Sequence, residues 1–165
     1  MIKLVRLDER MIHGQIAIKW SRHTGVDRII VANDEAASND IIKKSLMMAA
    51  PSTCKTAIRS VENSLKLMND PRAENLKILV IVSTPEDLLK VIDNVKEKIP
   101  LINIGNYGRI APKKGMEMRK TYGANLYAYD DEVKIFKKIL DHGIETIYQT
   151  TPEDTPEPLA KVLGL

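Results

Sequence analysis

The sequence predicts an α/β fold with a doubly wound, largely parallel sheet, helices on both faces and three layers in a single domain, residues 1–165. Three observations carry this prediction. Short apolar runs alternate with amphipathic stretches along the whole chain, which is the pattern of βαβ units. A chain of 165 residues with 44% hydrophobic residues is large enough for one core. No repeat, low-complexity tract or linker-like segment divides it.

Apolar runs bounded by turn residues are predicted as strands. The run Lys77–Val82 is the most apolar, so we expect a central strand buried on both faces. The basic stretch 109–120 contains Pro112 and Gly115 and is predicted as a loop or a short edge hairpin. The predicted strands are Ile2–Val5, Arg28–Ala32, Thr53–Ile58, Lys77–Val82, Leu101–Ile104, Leu126–Tyr129 and Ile144–Gln149.

The stretches between these runs are predicted as helices. In the first, Ile12, Ile16 and Trp20 recur at a spacing of four, which places them on one helical face. Thr84 followed by Pro85 combines a good N-cap with a proline suited to the first helical position. The predicted helices are Ile12–Arg22, Ile41–Ala49 capped by Asn39, Val61–Met68, Pro85–Val95 capped by Thr84, Val133–Asp141 capped by Asp130, and Pro158–Leu163.

Composition narrows the range of functions. The net charge is +3, and the basic residues are dispersed rather than gathered on one segment, which argues against nucleic acid as a partner. Cys54 is the single cysteine, which excludes an internal disulfide and fits a reducing cytosol. The chain has no signal-like start and no apolar stretch near the roughly 20 residues of a membrane span. We therefore expect a cytoplasmic protein that reaches a membrane only through partners.

Ligands of open α/β sheets bind beyond the carboxyl ends of the strands. Four turns of this chain occupy such positions in the predicted fold. They are 8–13, Asn33-Asp34, Ser83-Thr84 and Gly105-Asn106. Polar side chains that line or bind an anion are therefore expected in all four turns.

The first of these turns carries the strongest candidate for chemistry. His13 is placed at the start of the predicted helix, where unpaired N–H groups and the helix dipole favour an anion such as phosphate. Neutral imidazole is a nucleophile near neutral pH. Arg10 offers a planar clamp for phosphoryl oxygens, and Gly14 permits close approach of the backbone.

The residues alone leave plainer interpretations open. His13 is also compatible with a polar residue at a helix start, and Arg10 with a solvated charge. Asp8 either orients His13, pairs with Arg10 or is an ordinary loop carboxylate.

Other kinds of site are not indicated. No His, Asp or Glu pair has metal-binding spacing, no serine lies in a nucleophile elbow, and the turn 105–108 lacks the dinucleotide-binding glycine pattern. We therefore predict neither a metal nor a cofactor. A non-catalytic regulatory module that binds an anion or small ligand at the same strand ends is the alternative to a phosphocarrier.

The stretch VRLDERMIHGQI, residues 5–16, with Trp20 beyond it, resembles the signature of enzyme IIB components of the mannose/fructose/sorbose family of the sugar phosphotransferase system. Segments 30–37, 49–51, 83–87 and 102–106 are also similar to that family. The resemblance covers nearly the whole chain. Its length implies a stand-alone subunit with no fused IIA part.

The resemblance implies that His13 is phosphorylated on Nδ1 by a phosphohistidine of the IIA component. His13 then donates the phosphoryl group to a sugar carried by the membrane components IIC and IID. Arg10 corresponds to the arginine beside that histidine in the family. The residues expected to line the site or bind phosphate are Asp8, Gly14, Gln15, Asn33, Asp34, Ser83, Thr84, Gly105 and Asn106. Met11 and Tyr107 depart from the residues usual in the family.

The same resemblance leaves the sugar open among mannose, fructose, sorbose and galactosamine-type substrates, and it is compatible with a homodimer. Phosphoryl transfer between two histidines requires an open rim around His13. We predict a positive docking surface there, formed by Arg6, Arg10 and Lys19 or Arg22.

Overall fold

A computed structural model describes all 165 residues, and a seven-stranded sheet lies at its centre. The strands are β1 (Ile2–Asp8), β2 (Arg28–Ala32), β3 (Lys55–Arg59), β4 (Ile78–Val82), β5 (Ile102–Asn106), β6 (Lys120–Gly123), β7 (Leu126–Ala128), β8 (Thr146–Tyr148) and β9 (Glu157–Pro158). The sheet has the order β3-β2-β4-β1-β5-β8-β9, and only β9 is antiparallel to its neighbour. Strands β6 and β7 form a separate hairpin.

Helices cover both faces of this sheet. They are α1 (Ile16–Thr24), α2 (Asp34–Ser38), α3 (Asp40–Ala49), α4 (Val61–Met68), α5 (Pro85–Asn94), α6 (Asp130–Leu140) and α7 (Leu159–Leu163). Trp20 and Leu46 belong to the smaller apolar cluster, on the face that α1 to α3 cover. The larger cluster includes Leu88 and Phe136 and lies beneath α4 to α7. The predicted three-layer α/β architecture is confirmed.

Several local predictions are also confirmed. All five residues of β4 are buried, and the strand lies between β1 and β2 as a central strand should. Helix α4 has the predicted bounds. The Asn39 side chain accepts from the backbone of Ile41 and Ile42 at the start of α3. Thr84 accepts from Asp87 N at 3.1 Å, with Pro85 as the first residue of α5.

The predicted start of the first helix is wrong. Helix α1 begins at Ile16 rather than Ile12, so His13 lies in a loop before the helix. The reason is backbone conformation, because Met11 at φ 60° and Gly14 at φ 48° are left-handed and interrupt a right-handed helix. The anion site of a helix N-terminus is therefore not what surrounds His13.

Two further helix starts differ from the predictions, whereas the loop predicted within 109–120 is confirmed. Tyr129, not Asp130, precedes α6, because the Glu132 carboxylate accepts the Tyr129 N–H at 2.8 Å and closes the first turn. Residues 33 and 34 begin the short helix α2 rather than a plain turn. Residues 109–119 form a loop, and the antiparallel hairpin follows it at Lys120.

The order of the strands creates a crevice beside β1. The chain leaves β1 toward β2 on one side of the sheet, whereas it leaves β5 toward β8 on the other side. At such a switch point the two loops diverge and the carboxyl ends of the adjacent strands remain accessible. Asp8 and Asn106 are the last residues of these two strands. No helix of the structure has the length and apolar character that a membrane crossing requires.

Candidate functional site

The loop that follows β1 presents a histidine at the crevice. Asp8 begins the turn, since its carbonyl accepts from Met11 N at 2.9 Å and its Oδ1 from Arg10 N at 3.0 Å. Met11 then takes the left-handed conformation, which is uncommon for a residue with a long side chain. Ile12 is buried in the core below, and the next side chain, His13, is 15% exposed. The loop is thus anchored on the side that precedes His13, and the ring reaches solvent.

One buried oxygen holds that ring. Asp8 Oδ2 is 2.9 Å from His13 Nε2, and it also accepts from Arg6 Nη2 at 2.9 Å and Asn106 Nδ2 at 3.1 Å. A carboxylate only accepts, so the proton of the neutral ring lies on Nε2. The lone pair of Nδ1 makes no hydrogen bond in the structure and is available to an electrophile.

The surroundings keep Asp8 ionised. Complete burial disfavours its charge, but the hydrogen bond from His13, the positive charge of Arg6 and the Asn106 amide together hold the pKa of the Asp8 carboxyl below its usual value. The site therefore keeps a fixed negative charge behind the imidazole.

Arg6 is a functional-site residue that the sequence analysis misplaced. Its side chain is 2% exposed, so it does not belong to the predicted docking surface. The guanidinium lies 5.1 Å from the ring centroid of Trp20. It donates to the Asn103 side chain and to the carbonyls of Gln149 at 3.4 Å and Thr150 at 3.2 Å. Arg6 and Asp8 are two apart on one strand, the spacing that places both on one face.

Gly105 supports this arrangement through its lack of a side chain. A Cβ at this position would lie 2.2 Å from Nη2 of Arg6, closer than any real contact. Gly105 therefore makes room for the guanidinium behind Asp8.

The remaining residues of the loop are open to solvent. Arg10 is exposed, and its guanidinium makes neither a hydrogen bond nor an ion pair. Gly14 and Gln15 are exposed as well, and the Gln15 side chain has no partner. Of the other cations predicted to surround the site, Lys19 lies 3.5 Å from Glu153, and Arg22 is exposed without a partner. Arg10 and Arg22 are thus the free charges of the predicted surface.

A second group of predicted residues lies at the same edge of the sheet but bonds elsewhere. Asn33 Nδ2 donates to Ser83 Oγ at 2.7 Å, which joins the ends of β2 and β4. Asp34 accepts from Val61 N at 2.9 Å, and Thr84 caps α5. None of the four makes a hydrogen bond to His13, Asp8 or Asn106.

Glu9 is a residue that no pattern singled out. Its side chain points away from solvent and accepts four backbone N–H groups, from Gly108, Arg109, Ile110 and Ala111. A lone glutamate in a turn carries no sequence signal for this role, because its partners are 99 to 102 positions away.

A buried charge cluster also lies beneath the 109–119 loop. Arg119 Nε donates to Glu132 Oε1 at 2.8 Å, and its guanidinium lies 4.4 Å from the ring centroid of Tyr129. Tyr107 donates its hydroxyl to the same carboxylate. Arg119 also donates to the carbonyl of Ala111 at 3.0 Å, so the cluster braces the loop from inside.

Comparison with known proteins identifies the family. Residues 2–165 match the sequence profile of the sorbose subfamily IIB component of the phosphotransferase system. The chain belongs to this IIB family. IIB components are phosphotransferases of the sugar phosphotransferase system, so this chain is a phosphocarrier in sugar uptake. The recognition made from residues 5–16 is confirmed.

Several relatives match this IIB chain over all or nearly all of its residues. It is 34% identical to a probable phosphotransferase enzyme IIB component of Streptococcus pyogenes serotype M6, over 99% of this chain and 100% of that protein. It is 31% identical to the mannose-specific IIAB component of Escherichia coli K12, over 100% of this chain and 48% of that protein. The solved IIB domain of the sorbose permease of Klebsiella pneumoniae has the same fold, with a TM-score of 0.88 over 99% of this chain and 96% of that domain at 22% identity.

Proposed function

We propose that His13 accepts the phosphoryl group on Nδ1 and donates it to a sugar. The observation that carries this proposal is the 2.9 Å hydrogen bond between Nε2 and the buried Asp8 carboxylate. It fixes one nitrogen as the proton carrier and leaves the other as the nucleophile. This is the arrangement by which a carboxylate orients an imidazole and stabilises its cationic form.

The transfer then proceeds as an in-line displacement. The Nδ1 lone pair attacks the phosphorus of a phosphohistidine on the IIA component. The new N–P bond forms while the donor N–P bond breaks, and its electron pair returns to the donor imidazole. The His13 ring gains positive character, which Asp8 offsets through Nε2–H. In the second transfer a sugar hydroxyl oxygen attacks the same phosphorus and the bond to Nδ1 breaks, with its electron pair returning to the His13 ring. The hydroxyl proton passes to solvent.

Arg10 supplies charge to the moving phosphoryl group. Its exposed guanidinium has no partner in the structure and lies three residues before His13 in the same loop. A planar guanidinium binds two phosphoryl oxygens at once, and phosphoryl transfer depends on this kind of positioning and charge compensation. The role of Arg10 is therefore that of an electrostatic clamp.

The partners follow from this chemistry. A phosphorylated IIA component supplies the phosphoryl group, and the membrane components IIC and IID present the sugar, so the chain acts at the cytoplasmic side of the membrane through them. The name of the mannose-specific relative of Escherichia coli joins an A part and a B part, which supports IIA as the donor. The exposed position of Arg10, three residues before His13, suits an incoming negative charge.

Labelling in a reconstituted system tests the proposal. Phosphoenolpyruvate with the general phosphotransferase proteins and IIA should place one acid-labile, base-stable phosphate on the wild type. His13→Ala should accept none, because the nucleophile is gone, and should keep its circular dichroism spectrum. His23→Ala, which removes an exposed histidine of α1, should label fully. Wild-type labelling of His13→Ala would overturn the assignment.

A further inference from the structure

We infer that Glu9 is a positioning residue for phosphoryl transfer, which fixes the His13 loop against the segment 108–111 through a nest of backbone amides. This inference rests on the proposed role of His13 and deepens it. It concerns a residue that touches neither the phosphoryl group nor the imidazole.

The contacts of the carboxylate are unusual in number and kind. Oε1 accepts from Gly108 N at 3.1 Å, Ile110 N at 3.3 Å and Ala111 N at 3.2 Å. Oε2 accepts from Arg109 N at 3.0 Å. Consecutive backbone N–H groups that converge in this way form an anion-binding nest.

No cation neutralises Glu9. Glu9 is buried, with 8% of its surface exposed, yet its oxygens form no ion pair. Arg109 contacts it only through the backbone N–H. Burial of a carboxylate costs free energy unless hydrogen bonds compensate it, and charge-assisted bonds from four amides provide that compensation. A neutral side chain in this place accepts fewer N–H groups, so the negative charge is the part of Glu9 that organises the segment.

The main chain of Glu9 completes the link. Glu9 N donates to Asn106 O at 2.9 Å and extends the pairing of β1 and β5 by one residue beyond Asp8. The Asn106 side chain in turn donates to Asp8 Oδ2, the oxygen that holds His13. Glu9 therefore secures the junction where Asp8 and Asn106 meet, from its main chain and its side chain together.

His13 depends on this junction because the far side of the loop is loosely held. Gly14 and Gln15 are exposed and the Gln15 side chain makes no hydrogen bond, so Ile12 and the pair Asp8-Glu9 are the fixed points. A shift of about 1 Å in a reacting group reduces the rate of a reaction by up to about 100-fold. Loosening Glu9 should therefore slow transfer while the fold persists.

The experiment compares Glu9→Gln with Glu117→Gln. Both remove one negative charge, but Glu117 is an exposed residue of the 109–119 loop whose side chain has no partner. For Glu9→Gln we expect transfer from saturating phospho-IIA to slow by about tenfold, with little change in the half-saturating IIA concentration. Amide exchange should accelerate at residues 108–111, and the ¹⁵N signals of the His13 ring should lose the pattern of a fixed Nε2–H. Glu117→Gln should match the wild type in all three measurements.

Glu9→Asp keeps the charge and should retain more activity than Glu9→Gln, because the segment 108–111 shifts toward the shorter carboxylate. Wild-type transfer by Glu9→Gln, with exchange raised at 108–111, would reduce the nest to a purely structural role. Equal losses in Glu9→Asp and Glu9→Gln would refute the importance of the charge. Failure of the proposed function would appear separately, as absence of label on His13 in the wild type.

Discussion

Two buried arginine–carboxylate clusters of this molecule use the same chemistry toward different ends. Behind His13, Arg6 and Asp8 are 2.9 Å apart and the guanidinium lies over Trp20. Beneath the 109–119 loop, Arg119 and Glu132 are 2.8 Å apart and the guanidinium lies over a tyrosine ring. Both pairs are at most 6% exposed. The difference lies in what else the carboxylate binds.

Fixed groups surround Glu132 on every side. It accepts from Arg119, from the Tyr107 hydroxyl and from the backbone N–H of Tyr129. Burial and the neighbouring Glu132 raise the pKa of Tyr107, so the hydroxyl remains a donor. Asp8 instead gives part of its Oδ2 to a partly exposed histidine ring that can gain or lose positive character. A buried ion pair thus serves stability in one cluster and reactivity in the other.

Asp8→Asn should produce the largest change in activity. The amide provides no negative charge for Nε2–H and permits the other tautomer, with the proton on the nucleophilic nitrogen. We expect phosphoryl transfer from IIA to slow on the order of 10³-fold. Single-turnover transfer measures this, and circular dichroism checks the fold, since Arg6 loses its counterion. Wild-type transfer by Asp8→Asn would show that the Arg6–Asp8 cluster, like the Arg119–Glu132 cluster, has no role in reactivity.

Arg119→Ala should produce the largest change in stability. It leaves the Glu132 carboxylate buried without its cation, and breaking such a pair costs about 3–5 kcal/mol of the free energy of unfolding. Lys120→Ala is the control, because both Lys120 and its partner Asp130 are exposed and an ion pair in water contributes little to stability. Urea unfolding supplies the values. Arg119→Ala should slow phosphoryl transfer less than Asp8→Asn does. A larger loss of transfer in Arg119→Ala would contradict the assignment of this cluster to stability.

Arg10→Lys should slow transfer without destabilising the fold. Lysine keeps the charge but loses the planar pair of donors, and we expect a loss of about 2 kcal/mol in the transition state, or roughly thirtyfold in rate. Arg22→Lys is the matched control on α1, exposed and without a partner. Equal transfer rates in both variants would show that the planar donor pair of Arg10 does not contribute to transfer.

Acid should reduce the contribution of the Arg119–Glu132 cluster to the free energy of unfolding, over a pH range that the pKa of Glu132 sets. Burial opposes the charge of Glu132, but the hydrogen bonds from Arg119, Tyr107 and Tyr129 hold its pKa below the usual value. A carboxyl with a lowered folded pKa stabilises the fold above its unfolded pKa of about 4.3, and this contribution is lost as pH falls through the folded value. The stability difference between wild type and Glu132→Gln should therefore be constant near pH 7 and shrink below about pH 4. A difference that grows toward low pH would contradict the assigned direction.

Sequence patterns predict the features of this molecule that depend on neighbouring residues. Local periodicity was sufficient for β4, for α4 and for the cap at Thr84, because these depend on neighbouring residues. The segment around His13 was identified from residues 5–16, although its helix starts later because of Met11 and Gly14. Left-handed backbone at a methionine follows from the tertiary contacts of the loop, which no local propensity encodes.

Long-range partners explain the rest. The hairpin β6–β7 separates Arg119 from Glu132, and Glu9 contacts backbone amides about a hundred residues away. Neither association is therefore visible as a sequence spacing. Arg6 looked like a surface charge because strand alternation does not reveal that the carbonyls of Gln149 and Thr150 close over it. Arg6 is buried because residues 149 and 150, far along the chain, cover its guanidinium.

The missing side chain at position 105 restricts the mutational history open to this protein. A side chain there collides with the guanidinium of Arg6, so a larger residue at position 105 requires that the guanidinium move away or that residue 6 be smaller. Either change takes the counterion away from Asp8. We therefore expect positions 6 and 105 to be epistatic: Gly105→Ala should be more damaging alone than in the background Arg6→Leu. Each of the two positions therefore limits the substitutions that the other can accept.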